Sequence, residues 1–277
     1  MFGGSPGTWD FKASLLARHG YVSLALAFHG KGLEEVHPPA EKGVRPPTFK
    51  MAYFDKAIEL LYNHPKVNRS CGGIGVVTIS GSTPFGLFMS VHSDLVKCVI
   101  LTNGPVSNNL GMFITEDKTY PYIQYFGKEA TLRTVYEEGH PGAKQGLAMR
   151  SMTGPIVNIS PEGVTNPPGA NIPYYDQKHV GFLYLAALND ENTPSEYYAN
   201  VFERCLKNSG HPNFKVVRFA GAGHVMGEPP YGPHNYISWF PFFGHDLIWG
   251  GKTKQHCKAM LSAWRETLKF LESNLKS

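Results

Sequence analysis

Three polar residues of this chain have the types and the order that nucleophilic catalysis needs: Ser80, Asp190 and His224. A serine hydroxyl is a weak nucleophile until a base takes its proton, and a histidine base needs an acid to fix its tautomer. If the three side chains meet in one cleft, the protein can cleave an acyl compound through a covalent acyl-serine. The segments on either side of each residue would have to position them.

Ser80 follows an apolar segment and precedes a segment that can wind as a helix. Residues 74–79 are rich in Val and Ile, which predicts a buried strand, and residues 84–92 can form a helix that begins at Pro84. A strand, a sharp turn with one serine, and a helix make a nucleophile elbow, usually spelled Gly-x-Ser-x-Gly. Here Thr78 and Ser82 replace the outer glycines. The segment therefore also fits a strand that simply ends in a polar turn.

The acid and the base each follow a later apolar run. Asp190 comes after a strand predicted at 181–187, and His224 comes after a strand predicted at 214–219. In a sheet that carries a nucleophile elbow, the order along the chain is nucleophile, acid, histidine, each on a loop at the carboxyl end of a strand. Taken singly, Asp190 could be an acid near a helix start, and His224 could be an ordinary loop histidine. Taken together, the three predict a catalytic triad.

Acyl transfer also needs two backbone N–H groups aimed at the negative charge that develops on the substrate oxygen. Gly81, directly after the candidate nucleophile, would supply one of these oxyanion-hole donors. The glycine loop before the first predicted helix would supply the other through Gly3 or Gly4, unless it is merely a flexible terminal loop. No metal-binding spacing is present, so neither a metal nor a cofactor is predicted.

The predicted elements alternate between helices and strands. They are a helix at 10–18, strands at 21–27, 74–79, 96–102, 180–187 and 214–219, and helices at 49–63, 84–92, 193–207 and 254–275. This alternation predicts an α/β fold with a mostly parallel sheet and helices on both faces. Residues 104–180 are rich in Gly, Pro, Asn and Tyr, and they are predicted to form a cap-like insertion in a single domain spanning 1–277 rather than a second core.

Composition argues against several other classes of function. The 277 residues carry a formal charge of +4 without a dense basic run, so a nucleic-acid groove is not expected. No apolar run approaches the roughly 20 residues that a membrane span needs. Four separated cysteines and the absence of a signal-peptide pattern favour a reducing compartment. We expect an intracellular protein, with the cytoplasm first and mitochondria or peroxisomes left open.

Several short strings of residues are specific when they occur together. They are Ser195-Glu-Tyr-Tyr-Ala-Asn200, Glu228-Pro-Pro-Tyr231, Ile248-Trp-Gly-Gly251 and the turn at Asn103-Gly104. On these strings the chain resembles, nearly from end to end, the C-terminal catalytic domain shared by acyl-CoA thioesterases and bile acid-CoA:amino acid N-acyltransferase. The resemblance implies an α/β-hydrolase fold and an acyl-CoA substrate.

The resemblance also implies roles for individual residues. The family's triad falls on Ser80, Asp190 and His224. The thioesterases use a serine nucleophile, whereas the bile acid conjugating enzyme uses a cysteine. Ser80 therefore implies hydrolysis of fatty acyl-CoA to the free acid and CoA. Two alternatives stay open: transfer of the acyl group to an amino acid, and a catalytically impaired relative whose elbow is strained by Thr78 and Ser82.

Measured against the family, the chain is expected to be truncated at its N-terminus. The family's N-terminal β-sandwich domain has no counterpart here, and neither do the first strands of the hydrolase sheet. One of those strands would lie between the predicted strands 21–27 and 74–79, so a gap is expected there. Acyl-chain length and oligomeric state are not indicated by the sequence.

Overall fold

The computed structural model describes residues 1, 3, 7–39, 47–109, 111–122, 131–136, 143–150, 158–160, 163–165, 171–226, 234–240 and 244–276. The helices are α1 (Asp10–Arg18), α2 (Met51–Tyr62), α3 (Thr83–His92), α4 (Ser195–Asn208) and α5 (Thr253–Leu275). The longer strands are β2 (Ile74–Ile79), β3 (Val96–Thr102), β6 (Thr131–Tyr136), β7 (Ala143–Ala148), β10 (Gly181–Ala187) and β11 (Phe214–Phe219). The shorter strands are β1 (Thr48–Lys50), β4 (Met112–Ile114), β5 (Thr119–Tyr120), β8 (Asn158–Ser160), β9 (Gly163–Thr165), β12 (Ile237–Phe240) and β13 (His245–Ile248).

A parallel sheet with the strand order β11-β10-β3-β2 carries the site. Side chains of β10 alternate between its two faces. Phe182, Tyr184 and Ala186 join the core formed with α2, α3 and α4. Leu183 and Leu185 join the core formed with α1 and α5. The predicted α/β class, with helices on both faces of a parallel sheet, is confirmed.

The segment predicted as a strand at 21–27 forms no strand, so that prediction is wrong. A cavity of about 460 Å³ lies between this segment and β2 and is lined by residues of both. The N-terminal ammonium of Met1 donates a hydrogen bond to the Val77 carbonyl oxygen at 2.8 Å. An apolar run favours burial, but a strand forms only where a neighbour pairs with its backbone. Within the described ranges β2 pairs with β3 alone.

Residues 104–180 contain more regular structure than their composition indicated. Strands β4 to β9 lie in this range, and β6 and β7 join β13 and β12 in a second four-stranded sheet. Val135, Ala148, Ile237 and Ile248 form a small separate apolar cluster there. Two of these four residues lie outside 104–180, so a cap-like insertion without a core of its own stays a prediction for this range. These strands are short, and some of them pair with distant segments of the chain, so the sequence shows no recognisable period here.

Helix α3 packs closely on the central sheet at Gly86. A Cβ atom at this position would lie 2.9 Å from Thr78 Cγ2 and 3.1 Å from Val99 Cγ1. Thr78 is fully buried, and its hydroxyl donates to the Ile100 carbonyl oxygen at 3.0 Å. The β-branched side chain of Thr78, which replaces a usual elbow glycine, thus occupies the space that Gly86 leaves open.

Replacing Gly86 with alanine tests this packing. At an unconstrained helix position the change would stabilise the protein by about 1 kcal/mol. Here we expect overpacking to lower the free energy of unfolding by about 1–3 kcal/mol. The double variant T78S/G86A should recover part of the loss, because serine keeps the hydroxyl and lacks Cγ2. Denaturant unfolding in which G86A is as stable as the unmodified protein would contradict this account.

Candidate active site

Ser80 stands at a strained turn between β2 and α3. Its φ of +55° is in the left-handed region, which a residue other than glycine rarely adopts. A short 3₁₀ turn over Ser80–Ser82 leads directly into α3. The residues after β3 pack tightly against this turn. A Cβ atom added at Gly104 would lie only 2.2 Å from the Ser80 carbonyl oxygen, so no side chain fits there. Strand, sharp turn and helix together have the geometry of a nucleophile elbow.

The structure brings Ser80, Asp190 and His224 into one hydrogen-bonded chain. His224 Nε2 lies 2.8 Å from Ser80 Oγ, and His224 Nδ1 lies 2.8 Å from Asp190 Oδ2. The carboxylate accepts, so Nδ1 carries the proton and Nε2 is left free to accept the serine proton. Asp190 and His224 are 1% and 3% exposed. The loops that follow β2, β10 and β11 supply these residues in the predicted order.

Asp190 is held by donors from the chain that follows it. Its Oδ1 accepts from the backbone N–H groups of Asn192 and Thr193, both at 2.8 Å. Its Oδ2 accepts from the Ser195 hydroxyl at 2.5 Å as well as from His224. With these donors the buried carboxylate has a fixed orientation toward the imidazole.

The substituted elbow positions are both accommodated. Ser82 has a φ of −83°, so its backbone does not require glycine. Its buried hydroxyl accepts from the Ile79 N–H at 3.0 Å and donates to the Ile79 carbonyl oxygen at 2.8 Å. Thr83 adds a bond from its hydroxyl to the Pro105 carbonyl oxygen at 2.6 Å. The turn is thus supported by side-chain hydrogen bonds in addition to the close helix packing at Gly86.

Two of the three predicted oxyanion-hole residues lie next to the serine. Gly81 is the central residue of the 3₁₀ turn. Gly3 is buried, has a φ of +23°, and is so close that a Cβ there would lie 3.6 Å from Ser80 Cβ. Gly4 lies outside the described residues. The chain near Gly3 therefore passes directly over the candidate nucleophile.

Sequence reasoning missed the residues that hold the histidine loop. Asn103 Nδ2 donates to the His224 carbonyl oxygen at 2.7 Å, and its Oδ1 accepts from the Ala187 N–H at 2.7 Å. The His224 N–H donates to the Trp249 carbonyl oxygen at 2.8 Å, and the two rings stack with centroids 5.7 Å apart. His256 bonds the backbone on both sides of His224. Only the strings around Asn103 and Trp249 gave a sequence signal.

Neither a metal-binding group of side chains nor a membrane-spanning helix occurs among the described residues. No group of three or more His, Cys, Asp or Glu side chains in these ranges is arranged to hold a metal ion. None of the helices in the same ranges combines the length and the apolar character needed to cross a bilayer.

A family model described as "BAAT / Acyl-CoA thioester hydrolase C terminal" matches residues 49–277. The chain belongs to this family. It is 27% identical to the mouse bile acid-CoA:amino acid N-acyltransferase and 26% identical to human acyl-coenzyme A thioesterase 1, with 99% of this chain covered in both comparisons. It spans 59% of the length of each of these relatives.

Another relative is human acyl-coenzyme A thioesterase 2, described as mitochondrial, at 26% identity. The same comparison covers 99% of this chain and 51% of that protein. Among solved structures, polyneuridine aldehyde esterase aligns over 79% of this chain and 89% of its own, with 14% identity and a TM-score of 0.38. This structural likeness is too low to support an argument of its own.

The family strings have identifiable places in the structure. Ser195 begins α4 and donates to Asp190. Gly250 forms an isolated β-bridge with Asp190, and a Cβ on Gly223 would lie 2.2 Å from the Gly250 carbonyl oxygen. The Ile248–Gly251 string therefore joins the acid loop to the histidine loop. The string 228–231 lies outside the described residues.

The Ser195 hydroxyl offers a test of how firmly the acid is held. Replacing Ser195 with alanine removes one donor from a buried carboxylate, so the free energy of unfolding should fall by about 1–3 kcal/mol. Ser195→Thr keeps a hydroxyl and serves as the matched control, which should lose less. Denaturant unfolding measures both variants, and equal stability of S195A and the unmodified protein would show that this bond contributes nothing.

Proposed function

We propose that this protein hydrolyses fatty acyl-CoA thioesters to the free acid and CoA through an acyl-enzyme on Ser80. One observation carries the proposal: the unbroken hydrogen-bonded chain from Asp190 through His224 to a serine at a strained elbow. Membership of a family that includes acyl-CoA thioesterases supports acyl-CoA as the substrate. The strand order and the elbow also support an α/β-hydrolase fold.

In the first half-reaction, His224 Nε2 takes the Ser80 proton while Oγ attacks the thioester carbonyl carbon. The tetrahedral intermediate collapses by breaking the carbon–sulfur bond, and the CoA sulfur leaves with the proton held on His224. Asp190 keeps the imidazole in the required tautomer and stabilises its positive charge. A water molecule then gives its proton to His224 and attacks the acyl-serine, and the carboxylic acid leaves as the proton returns to Ser80.

The backbone N–H groups of Gly81 and Gly3 are proposed as the oxyanion hole. Gly81 follows the nucleophile at the N-terminal end of α3, where the helix presents partial positive charge. Gly3 lies against the Ser80 side chain. Gly4, which was predicted with Gly3, falls in the part of the chain that the structure does not describe. Donors at this place would stabilise the charge on the thioester oxygen in the transition state.

We further propose that residues 104–180 act as a cap over the acid side of the site. Arg133 of β6 pairs with Glu191, beside the acid, with Nη1 and Oε2 2.7 Å apart. Arg150 Nη1 donates to the Asp190 carbonyl oxygen at 3.2 Å. These contacts tie the insertion to the loop that carries Asp190. We propose the cytoplasm as the compartment, supported by cysteines that are free in the described residues.

Replacing Ser80 with alanine should abolish acyl-CoA turnover. Loss of the nucleophile typically lowers kcat by several powers of ten, because no acyl-enzyme can form. Release of free CoA from a series of fatty acyl-CoA substrates measures the effect, and a fluorophosphonate probe reports whether Ser80 is activated. Circular dichroism confirms that S80A is folded. Turnover by S80A equal to that of the unmodified protein would remove Ser80 from the mechanism.

The products decide between hydrolysis and amino-acid conjugation. With glycine or taurine present, hydrolysis yields free fatty acid, whereas an N-acyltransferase yields the amide. Mass spectrometry of the products separates the two, and we expect the free acid. Absence of both labelling and turnover in the folded protein would instead support a catalytically impaired relative.

A further inference from the structure

A second histidine, His256 of α5, holds the backbone on both sides of His224. The Gly223 N–H donates to His256 Nδ1 at 2.9 Å, and His256 Nε2 lies 2.9 Å from the Val225 carbonyl oxygen. Because Nδ1 must accept from an N–H group, Nε2 carries the proton and donates to Val225. A neutral imidazole in one tautomer therefore satisfies both backbone groups.

His256 is suited to remain neutral. It is 3% exposed, and burial, together with the neighbouring His234, lowers its pKa to about 4. The hydrogen bond to Val225 and the charge of Asp190 oppose these effects only in part. A protonated imidazole could not accept from Gly223, so the neutral form is the one that the loop requires.

The loop has little freedom on its other side. A Cβ on Gly223 would lie 2.2 Å from the Gly250 carbonyl oxygen, so the backbone of the loop already touches the Gly250 segment. Asn103 and the Trp249 carbonyl group hold His224 itself. The two flanking peptide groups are held by His256. Without His256, the loop keeps the bonds at His224 itself but loses those at the two flanking peptide groups. The loop can then rotate about the remaining bonds, and this rotation would displace the His224 imidazole.

We propose that His256 is a positioning residue that keeps His224 Nε2 within hydrogen-bond distance of the Ser80 hydroxyl. It does not touch the reacting atoms, and it acts through the backbone of the histidine loop. This inference rests on the proposed function, in which His224 is the base. A misplacement of the base of about 1 Å can lower the rate by about 100-fold.

A series of variants at His256 separates positioning from simple filling of space. His256→Phe keeps a flat aromatic ring, slightly larger than imidazole, and loses both polar contacts. His256→Asn has an amide oxygen that can accept from Gly223, and it tests partial rescue. Leu271→Ala, at a buried site on the same helix, is the control for lost stability away from the histidine loop.

We expect H256F to lower kcat by about 10- to 100-fold with KM nearly unchanged. H256N should fall between H256F and the unmodified protein. L271A should lose stability but keep kcat. A merely structural role predicts instead that H256F and L271A behave alike. A folded H256F with unchanged kcat, in protein that is otherwise active, would overturn the proposal and leave the proposed function intact.

A measurement that does not depend on turnover keeps the inference testable if the protein proves inactive. Amide hydrogen exchange at Gly223, followed by NMR, should accelerate in H256F relative to L271A, and the imidazole resonances of His224 should shift. If neither changes, His256 does not position the loop. If both change while the unmodified protein neither turns over acyl-CoA nor reacts with a fluorophosphonate, only the proposed function fails.

Discussion

The buried carboxylate of Asp190 is the group on which the geometry of the site depends. Removing a charge from water is costly unless hydrogen bonds replace the lost hydration. Two backbone N–H groups and the Ser195 hydroxyl supply such bonds, and they come from the few residues that lead into α4. These bonds leave one acceptor position on Oδ2 of Asp190, and His224 Nδ1–H occupies it. The orientation of the imidazole, and so its approach to Ser80, follows from this local arrangement.

Close backbone contacts complete the same arrangement. At Gly104, Gly223 and Gly250 an added Cβ would lie between 2.1 and 2.2 Å from a carbonyl oxygen of a neighbouring segment. Loops that follow different strands approach each other so closely at these positions that only glycine, which has no side chain, fits. Gly86 has the same role between helix and sheet, where it accommodates the side chain of Thr78. Thr78 can therefore stand in place of the usual elbow glycine because Gly86, on the helix that packs against it, leaves room for its side chain.

Predictions of secondary structure from the sequence were correct where an apolar run forms a strand with a paired neighbour or one face of a long helix. Strand β2, strand β10 and helix α5 lie within two residues of their predicted limits. The prediction at 21–27 is wrong because the run has no paired neighbour in the described structure, and pairing is a property of two segments. The insertion at 104–180 was underestimated because its strands are stabilised by partners such as β13, which lie far away in the chain.

The sequence alone determined the family, the α/β class and the order in which serine, acid and histidine occur, because these depend on residue types and local periodicity. Tertiary structure decided how the three are held together. The bonds from His256 to the residues flanking His224 join segments 33 and 31 residues apart, and those of Asn103 join segments 121 and 84 residues apart. His256 has no local pattern that marks such a role, and the string at Asn103 marked a turn but not its bonding partners, because a hydrogen bond between distant segments exists only once the chain has folded.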